Sequence, residues 1–536
     1  MRTIATFSLL LCLIFQGAAQ VNLVKDINPG PSIGYVNQAM VPGGNLLFFN
    51  ANAAPNGIQP WRSDGTESGT FLLKDVFASP SSSIIGAAEY LDGNFYFFTN
   101  NTLWKSNGTT AGTTVVRNFL DASFFGPIRM FRFGNRVMMN WGVTGSGDEL
   151  WRTDGTSAGT VLVKDINAGA GHSIPRNFTI HNGKLYFTAF TPAIGRELYV
   201  TDGTEAGTQL VKDIRPGTAN AEVTGLVSTP LGLFFSANDG VNGFELWRSD
   251  GTANGTYMVS DLNPAAGDGF KNTNDNPAIG YANGKVFFRG NNGASGDELF
   301  ASNGNAGNAA LVKELGPGSQ HGIFNSPVAT IPFANKVLVV ATGGEPWVSD
   351  GAEATTVQLK DINPGGNGSL ARDFFPHQGR LYFLATTATT GEELWVTNGT
   401  EAGTQLIADV RPGPIGSNID HLTSTDNRLF FWADNGVNGQ ELFAFGPTVS
   451  APEPVARQID VRVYPNPAAE FLLLETDEGA PGYLQLLNAA GVLVRHTALE
   501  KDWKQQRILV GDLPAGVYTL YVRTAKGSAG RQVRVE

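Results

Sequence analysis

A motif of the form Glu-Leu-Trp…Asp-Gly-Thr, seen at residues 149–156, returns about every 48 residues along most of this chain. Its aromatic anchors are Trp61, Trp104, Trp151, Tyr199, Trp247, Phe300, Trp347, Trp395 and Phe443, spaced by 43, 47, 48, 48, 53, 47, 48 and 48 residues. A period in this range means stacked supersecondary units, each too small to bury its apolar face alone. Within residues 174–214, a β-like run at 176–181 leads into an Asn182-Gly183 turn. An apolar run at 185–190, a third run at 197–200, a turn at 202–208 and a fourth run at 209–214 follow. Asn-Gly tolerates the positive φ of a tight hairpin. Four short antiparallel strands per period predict the blade of a β-propeller. The 3.6-residue periodicity of a helical array is absent.

The apolar second strand occurs nine times, and so does the third, but the Asp-Gly or Asn-Gly turn after it occurs only eight times. The ninth unit stops at Phe445-Gly446. The missing strand lies at the other end, where residues 21–30 repeat the pattern of 359–365. The expectation is an all-β fold: a closed propeller of about nine four-stranded blades over residues 20–446, with residues 21–27 pairing with 440–445. Closure removes the sheet edges that an open array would expose.

The turn residues Asp64, Asp154, Asp202, Asp250 and Asp350 read as structural: Asp bonds backbone amides, Gly takes the positive φ and Thr returns to strand. A metal reading would require an ion in every blade. A hairpin centred on residues 156–157 places Glu149 opposite Lys164. The same arithmetic pairs Glu197 with Lys212, Glu298 with Lys313, Glu345 with Lys360 and, across the closure, Glu441 with Lys25. These pairs are expected to fix register at ~0.2–1 kcal/mol each.

The chain begins with Arg2, a short apolar run at 4–15 and the small residues Gly17-Ala18-Ala19. This predicts a secretory signal at 1–19 with cleavage before Gln20. Cys12 is the only cysteine, so the exported chain is expected to fold without disulfides. No second apolar stretch is long enough to cross a membrane. The net charge of −11, with no basic patch, argues against nucleic acid as a partner.

The stretches 149–156, 197–204, 245–252 and 393–400 resemble the bacterial ELWxxDGT repeat family, with Tyr199 and Asn398 as variations. The resemblance covers about residues 21–446 and implies an exported repeat protein, with no catalytic residues or cofactor to carry over. Gln59-Pro60, Thr102-Leu103 and Glu345-Pro346 depart from the motif.

After a proline-containing linker at 447–458, about seven short strands over residues 459–536 predict a small β-sandwich. Val463-Tyr464-Pro465-Asn466-Pro467, the stretch 486–491, the stretch 513–518 and the terminal 531–536 resemble the C-terminal sorting domain of the type IX (Por) secretion system. The resemblance implies passage by Sec across the inner membrane and recognition of this domain by the type IX machinery. In that family the domain is commonly cleaved, and the cargo is released or attached to surface lipopolysaccharide.

Two functions are compatible with this organisation. One is a non-enzymatic surface or secreted binding or adhesion module. Its ligand sites would lie on loops between second and third strands, at Asp239, Asn242, Asp434 and Asn438, or on the long Asp- and Asn-rich insertion around 265–277, with glycan or surface polymer as partner. The alternative is a carbohydrate-active hydrolase or lyase on the same scaffold. That needs convergent carboxylates or a Tyr, His and Arg cluster. His172, His321, His377 and His421 fall in or near inter-blade loops, but no two share metal-ligand spacing. Calcium-stabilised loops at Asp239 and Asp434 are a third reading, though neither has the ligand alternation of a full calcium loop.

Overall fold

Every repeat of the sequence folds into one four-stranded antiparallel sheet. The computed structural model describes residues 20–36, 40–76, 85–99, 101–119, 129–264, 267–270, 278–316, 318, 320–323, 330–365, 368–446, 460–477, 482–487, 493–499, 503–511, 513–524 and 527–536. The expected signal at 1–19, the linker at 447–458 and most of the 265–277 insertion lie outside the described residues.

Among the described residues nine such sheets run along the repeat region. Their second strands are Leu46–Ala53, Asn94–Thr99, Arg136–Val143, Lys184–Thr191, Gly232–Asn238, Lys285–Asn291, Lys336–Val340, Arg380–Thr387 and Leu429–Asp434. These strands read as continuous apolar runs because both of their faces are covered. In sheet four, Tyr186 packs with Leu233, Phe235 and Trp247 of sheet five, while Leu185 and Phe187 pack with Met138 and Leu150 of sheet three. The same arrangement recurs at every step from sheet one to sheet nine. Sheet nine then packs on sheet one, with Phe430, Trp432 and Leu442 against Leu47, Phe49 and Trp61. The circuit of apolar interfaces therefore returns to its start.

Sheet nine is assembled from both ends of the repeat region. Its strand order is Gln20–Lys25, Gln440–Gly446, Leu429–Asp434 and Asp420–Ser424. Val21 is paired with Phe445 and Leu23 with Phe443.

Polar links join neighbouring sheets outside the apolar interfaces. The cation ending a fourth strand donates to a backbone carbonyl in the turn of the next sheet: Lys25 to Thr70 at 3.0 Å, Lys74 to Thr113 at 2.9 Å, Arg117 to Thr160 at 2.6 Å, Lys164 to Thr208 at 2.7 Å, Lys212 to Thr256 at 2.6 Å and Lys360 to Thr404 at 2.9 Å. The corresponding position before sheet nine is Ala408, and the ninth unit is the one whose sequence lacks the turn.

The described residues of 460–536 form two further sheets. One has the order Arg462–Tyr464, Phe471–Glu475, Gln505–Leu509, and the other Leu493–Leu499, Gly482–Leu487, Gly516–Thr524, Gly527–Val535. Both contribute to one core, with Leu472, Leu474 and Ile508 from the first and Leu484, Leu486, Leu520 and Val522 from the second. Among the described residues no helix is long and apolar enough to cross a membrane.

Candidate functional site

The repeated motif resolves into a turn and a latch. At the turn, Asp154 Oδ1 accepts from the Thr156 amide at 2.9 Å and from its hydroxyl at 2.7 Å. Asp64, Asp202 and Asp250 make the same two bonds, and Asp350 accepts from the Ala352 amide and the Thr355 hydroxyl. Gly155 has φ +85°, and a Cβ there would stand 2.4 Å from the Tyr96 hydroxyl of the preceding sheet. Glycine is required both by the backbone conformation and by this close approach.

The expected Glu–Lys register is off by one. A bulge between Leu150 and Trp151 brings Leu150, not Glu149, opposite Lys164, and the same shift places Leu198 opposite Lys212 and Leu299 opposite Lys313. Across the closure, Lys25 lies opposite Leu442 rather than Glu441. A bulge adds one residue to one strand, which turns the glutamate out of the cross-strand position. The two charges then part. The lysine reaches the next sheet, and the glutamate turns into the loop that leaves its own sheet.

There Glu149 is fully buried. Its carboxylate accepts from the amides of Ile166 at 2.7 Å, Asn167 at 3.2 Å and Ser173 at 3.0 Å, and from the Ser173 hydroxyl at 2.6 Å. Glu441 holds the closure in the same way, through the amides of Ile27 at 2.9 Å, Asn28 at 3.3 Å and Gly34 at 2.9 Å. Buried backbone donors must find acceptors, and the glutamate supplies them for a loop with no strand partner.

The four predicted ligand residues lie on two separate sheets, and their hydrogen bonds staple loops. Asp239 Oδ1 accepts from the amides of Val241 at 2.9 Å and Asn242 at 2.8 Å, and Asn242 Nδ2 donates to Asp239 Oδ2 at 2.7 Å. Asp434 accepts from the Gly436 amide at 2.7 Å and from Arg411 at 2.8 Å, while Asn438 Nδ2 donates to Asp26 at 2.8 Å. The apolar tips of these loops, Val241 and Val437, are exposed.

Two of the four candidate histidines are loop caps. His172 Nδ1 accepts from the Asp148 amide and His321 Nδ1 from the Asp297 amide, a role that Asn220 and Asp268 fill in sheets four and five. His377 is buried, and burial lowers its pKa to about 4.

His421 belongs to a different arrangement. It and Asp420 open the first strand of sheet nine, while Arg372 and Asp373 open the first strand of sheet eight, Arg372–His377. Both openings are bulged, with register shifts between Arg372 and Phe375 and between Asp420 and Thr423. Asp373 and His421 each have φ +54°. Left-handed backbone at residues other than glycine costs of order 1 kcal/mol or more, and bulges re-aim side chains.

Tyr35, from the loop after residues 20–25, donates its hydroxyl to Asp420 Oδ2 at 2.5 Å and lies 3.4 Å from His421 Nδ1. His421 Nδ1 is 3.1 Å from Asp420 Oδ1. The contact of Nδ1 with the carboxylate orients the ring. Burial, followed by the bond to Asp420 and its charge, raises the Tyr35 pKa, so the phenol stays protonated and acts as a donor. Arg372 forks onto Glu392 with bonds of 2.9 and 2.7 Å, and its third nitrogen meets Asp373. The Asp420 side chain is 42% exposed and that of Asp373 43%, so the cluster is open to solvent. The exposed aliphatic side chains Ile33, Leu370 and Ile415 stand on the three loops that supply it. The histidine was legible in the sequence, but its partners were not, because Tyr35 and Asp420 are 385 residues apart. Among the described residues no group of three or more His, Cys, Asp and Glu side chains has the geometry to hold a metal ion.

Residues 462–536 match the family described as the secretion system C-terminal sorting domain. The chain is thus exported by type IX secretion, to the cell surface or beyond it. No curated protein matches the chain. Among solved structures it is similar to the extracellular domain of a one-component system from B. thetaiotaomicron, at 11% identity and TM-score 0.34, covering 94% of this chain and 76% of that one. It is also similar to a fungal alcohol oxidase of the AA5 family, at 12% identity and TM-score 0.35, covering 83% and 95%. A third similar structure is Sqt1 of Saccharomyces cerevisiae, at 10% identity and TM-score 0.35, covering 68% and 97%.

Proposed function

We propose that residues 20–446 are a closed nine-bladed β-propeller of ELWxxDGT type, made with a cleaved secretory signal, and that it serves as an exported binding module. Its ligand site is the cluster of Tyr35, Arg372, Asp373, Glu392, Asp420 and His421. The circuit of nine apolar interfaces supports the propeller. The observation that carries the site is the convergence of half-buried Tyr, His, Arg and carboxylate groups at two bulged strand openings. The motif copies are occupied with holding turns and loops, and bulged first strands recur in sheets two, four and five, so the patch is set apart by its Tyr35, Arg372 and His421 side chains rather than by its backbone. Hydroxyl-rich polymer fits it: carboxylates that Arg372 holds in place hydrogen-bond vicinal hydroxyls, and the flanking aliphatic side chains cover apolar sugar faces.

A glycan-array screen of the full chain tests this, compared with Arg372→Ala and Asp420→Asn. The expected result is binding to a surface glycan that either substitution weakens at least about tenfold, the cost of roughly 1.4 kcal/mol of lost polar contact. Variants that bind like the parent, or an array with no ligand, would count against the site.

The second reading, a carbohydrate-active hydrolase or lyase, draws on one feature. Asp420 orients His421 through Nδ1, as a general base is oriented. Product release from polysaccharide substrates that is abolished in His421→Ala would favour the enzyme over the binding module.

A further inference from the structure

Sheet one carries a natural substitution that exposes a feature of the others. Where seven of the other sheets have the buried glutamate and sheet two has Thr102, it has Gln59, also fully buried. Gln59 Oε1 accepts from the Val76 amide at 3.2 Å, and Nε2 donates to Asp75 Oδ1 at 3.2 Å. The amide at the Val76 position bonds the glutamate in those seven sheets: Ile27 to Glu441, Ile166 to Glu149, Ile214 to Glu197, Leu262 to Glu245, Leu315 to Glu298, Ile362 to Glu345 and Val410 to Glu393. The residue before it repeats the acid of Asp75, as Asp26, Asp165, Asp213, Asp261, Glu314, Asp361 and Asp409.

Glutamine can donate to that acid, but an ionised glutamate cannot. In keeping with this, Oδ1 of Asp26, Asp165, Asp213 and Asp409 is shut off from solvent without a hydrogen-bond donor. In sheet four Glu197 Oε1 is in the same state as Asp213 Oδ1. Two orphaned carboxylate oxygens in one buried site are a costly arrangement unless a proton lies between them.

We infer that Glu149, Glu197, Glu393 and Glu441 are carboxylic acids whose O–H donates to Oδ1 of Asp165, Asp213, Asp409 and Asp26 in turn, so that each of these four pairs shares one proton and carries one negative charge. The pair at the seam, Glu441 with Asp26, makes the joint between the two ends of the repeat region a pH-sensitive clasp. Alkali removes the proton to solvent as water and leaves two adjacent carboxylates in a buried loop.

The charged surroundings leave the pairs without a neutralising cation. Facing Glu441 is Asp26, while Lys25 turns to Thr70 and Arg411 to Asp434. Asp213 faces Glu197, Asp261 faces Glu245, Glu314 faces Glu298 and Asp409 faces Glu393. Around Glu149 the further charged or titratable groups are Asp165, the contact of Asp148 with His172, and Arg196, whose guanidinium bonds the carbonyls of Ser173 and Ile174. Burial raises Glu149 and Glu441 to about 7 and Glu197 and Glu245 to about 8, against the lowering pull of the backbone amides.

A folded-state pKa above the unfolded one means that the native chain binds the extra protons. The stabilisation is complete below the ordinary glutamate value and is lost as pH rises through 7 to 8. Thermal melting of the full chain between mildly acidic and mildly alkaline pH is the test, with Glu197→Gln and Glu441→Gln beside the parent. The parent is expected to melt several degrees lower in alkali, each glutamine variant to lose part of that dependence, and the protonated-carboxyl band in the infrared spectrum to weaken in both variants. Glutamine keeps the oxygen that accepts from the Ile214 or Ile27 amide, as Gln59 does for Val76 in sheet one. A melting temperature flat across this range would overturn the inference, as would variants as pH-sensitive as the parent. Calcium that restores the alkaline melting temperature of the parent but not of Glu197→Gln would also overturn it, by assigning the site to a cation.

Discussion

Deletion of residues 21–30 is expected to leave the repeat region unfolded or aggregated. The deleted segment is the outer strand of sheet nine, paired along Gln440–Gly446. Its loss removes Val24 and Ile27 from the core shared by sheets nine and one. Each buried aliphatic side chain is worth about 1.5–3 kcal/mol. The deletion also strips Glu441 of the amides of Ile27 and Asn28, and Thr70 of its bond from Lys25. What remains is an exposed strand edge, a template for pairing with another copy. Size-exclusion chromatography and a melting curve check the result. A truncated chain that elutes as a monomer and melts like the parent would show that sheet nine does not need this strand.

Glu149→Ala is expected to destabilise the repeat region by about 3–5 kcal/mol in urea denaturation, because it strands buried donors at ~1–3 kcal/mol each, softened where water enters. Those donors are the amides of Ile166, Asn167 and Ser173 and the Ser173 hydroxyl. Glu149→Gln keeps an acceptor and should lose much less. The contrast separates a latch from a surface ion pair, whose loss would cost under about 1 kcal/mol and be alike in both variants. Lys164→Ala should be additive with Glu149→Ala, since the lysine serves a different sheet, through Thr208.

What could be read from the sequence followed from period and composition. The nine apolar runs are nine second strands, and residues 20–25 complete the sheet that ends at Gly446. The Glu–Lys register could not be read. Counting outward from the turn assumes an unbroken ladder, and a bulge next to Leu150, Leu198 and Leu299 breaks it in sheet after sheet. Nothing in Glu-Leu-Trp signals a bulge, so a residue that looked like an exposed charge partner is a buried loop acceptor. The cluster around His421 escaped for another reason. Tyr35, Arg372 and Asp420 come from three different units, and only the return of the chain to its starting sheet brings Tyr35 onto Asp420. The asparagines and aspartates of the second-to-third-strand loops have the composition of binding loops, yet their hydrogen bonds run inward, as Asx turns do.

The central claim, that the chain closes by pairing its N-terminal strand with the end of the last repeat, is tested most directly by a cysteine pair at Val21 and Phe445. These two residues are cross-strand partners, and opposite residues in an antiparallel pair lie within disulfide reach, with Cα atoms ~4.5–5.5 Å apart. In the exported full chain, Val21→Cys with Phe445→Cys should oxidise to a single intramolecular disulfide that speeds migration on a non-reducing gel. Each single variant should remain a free thiol. Failure of the pair to cross-link, or cross-linking only between copies, would contradict closure.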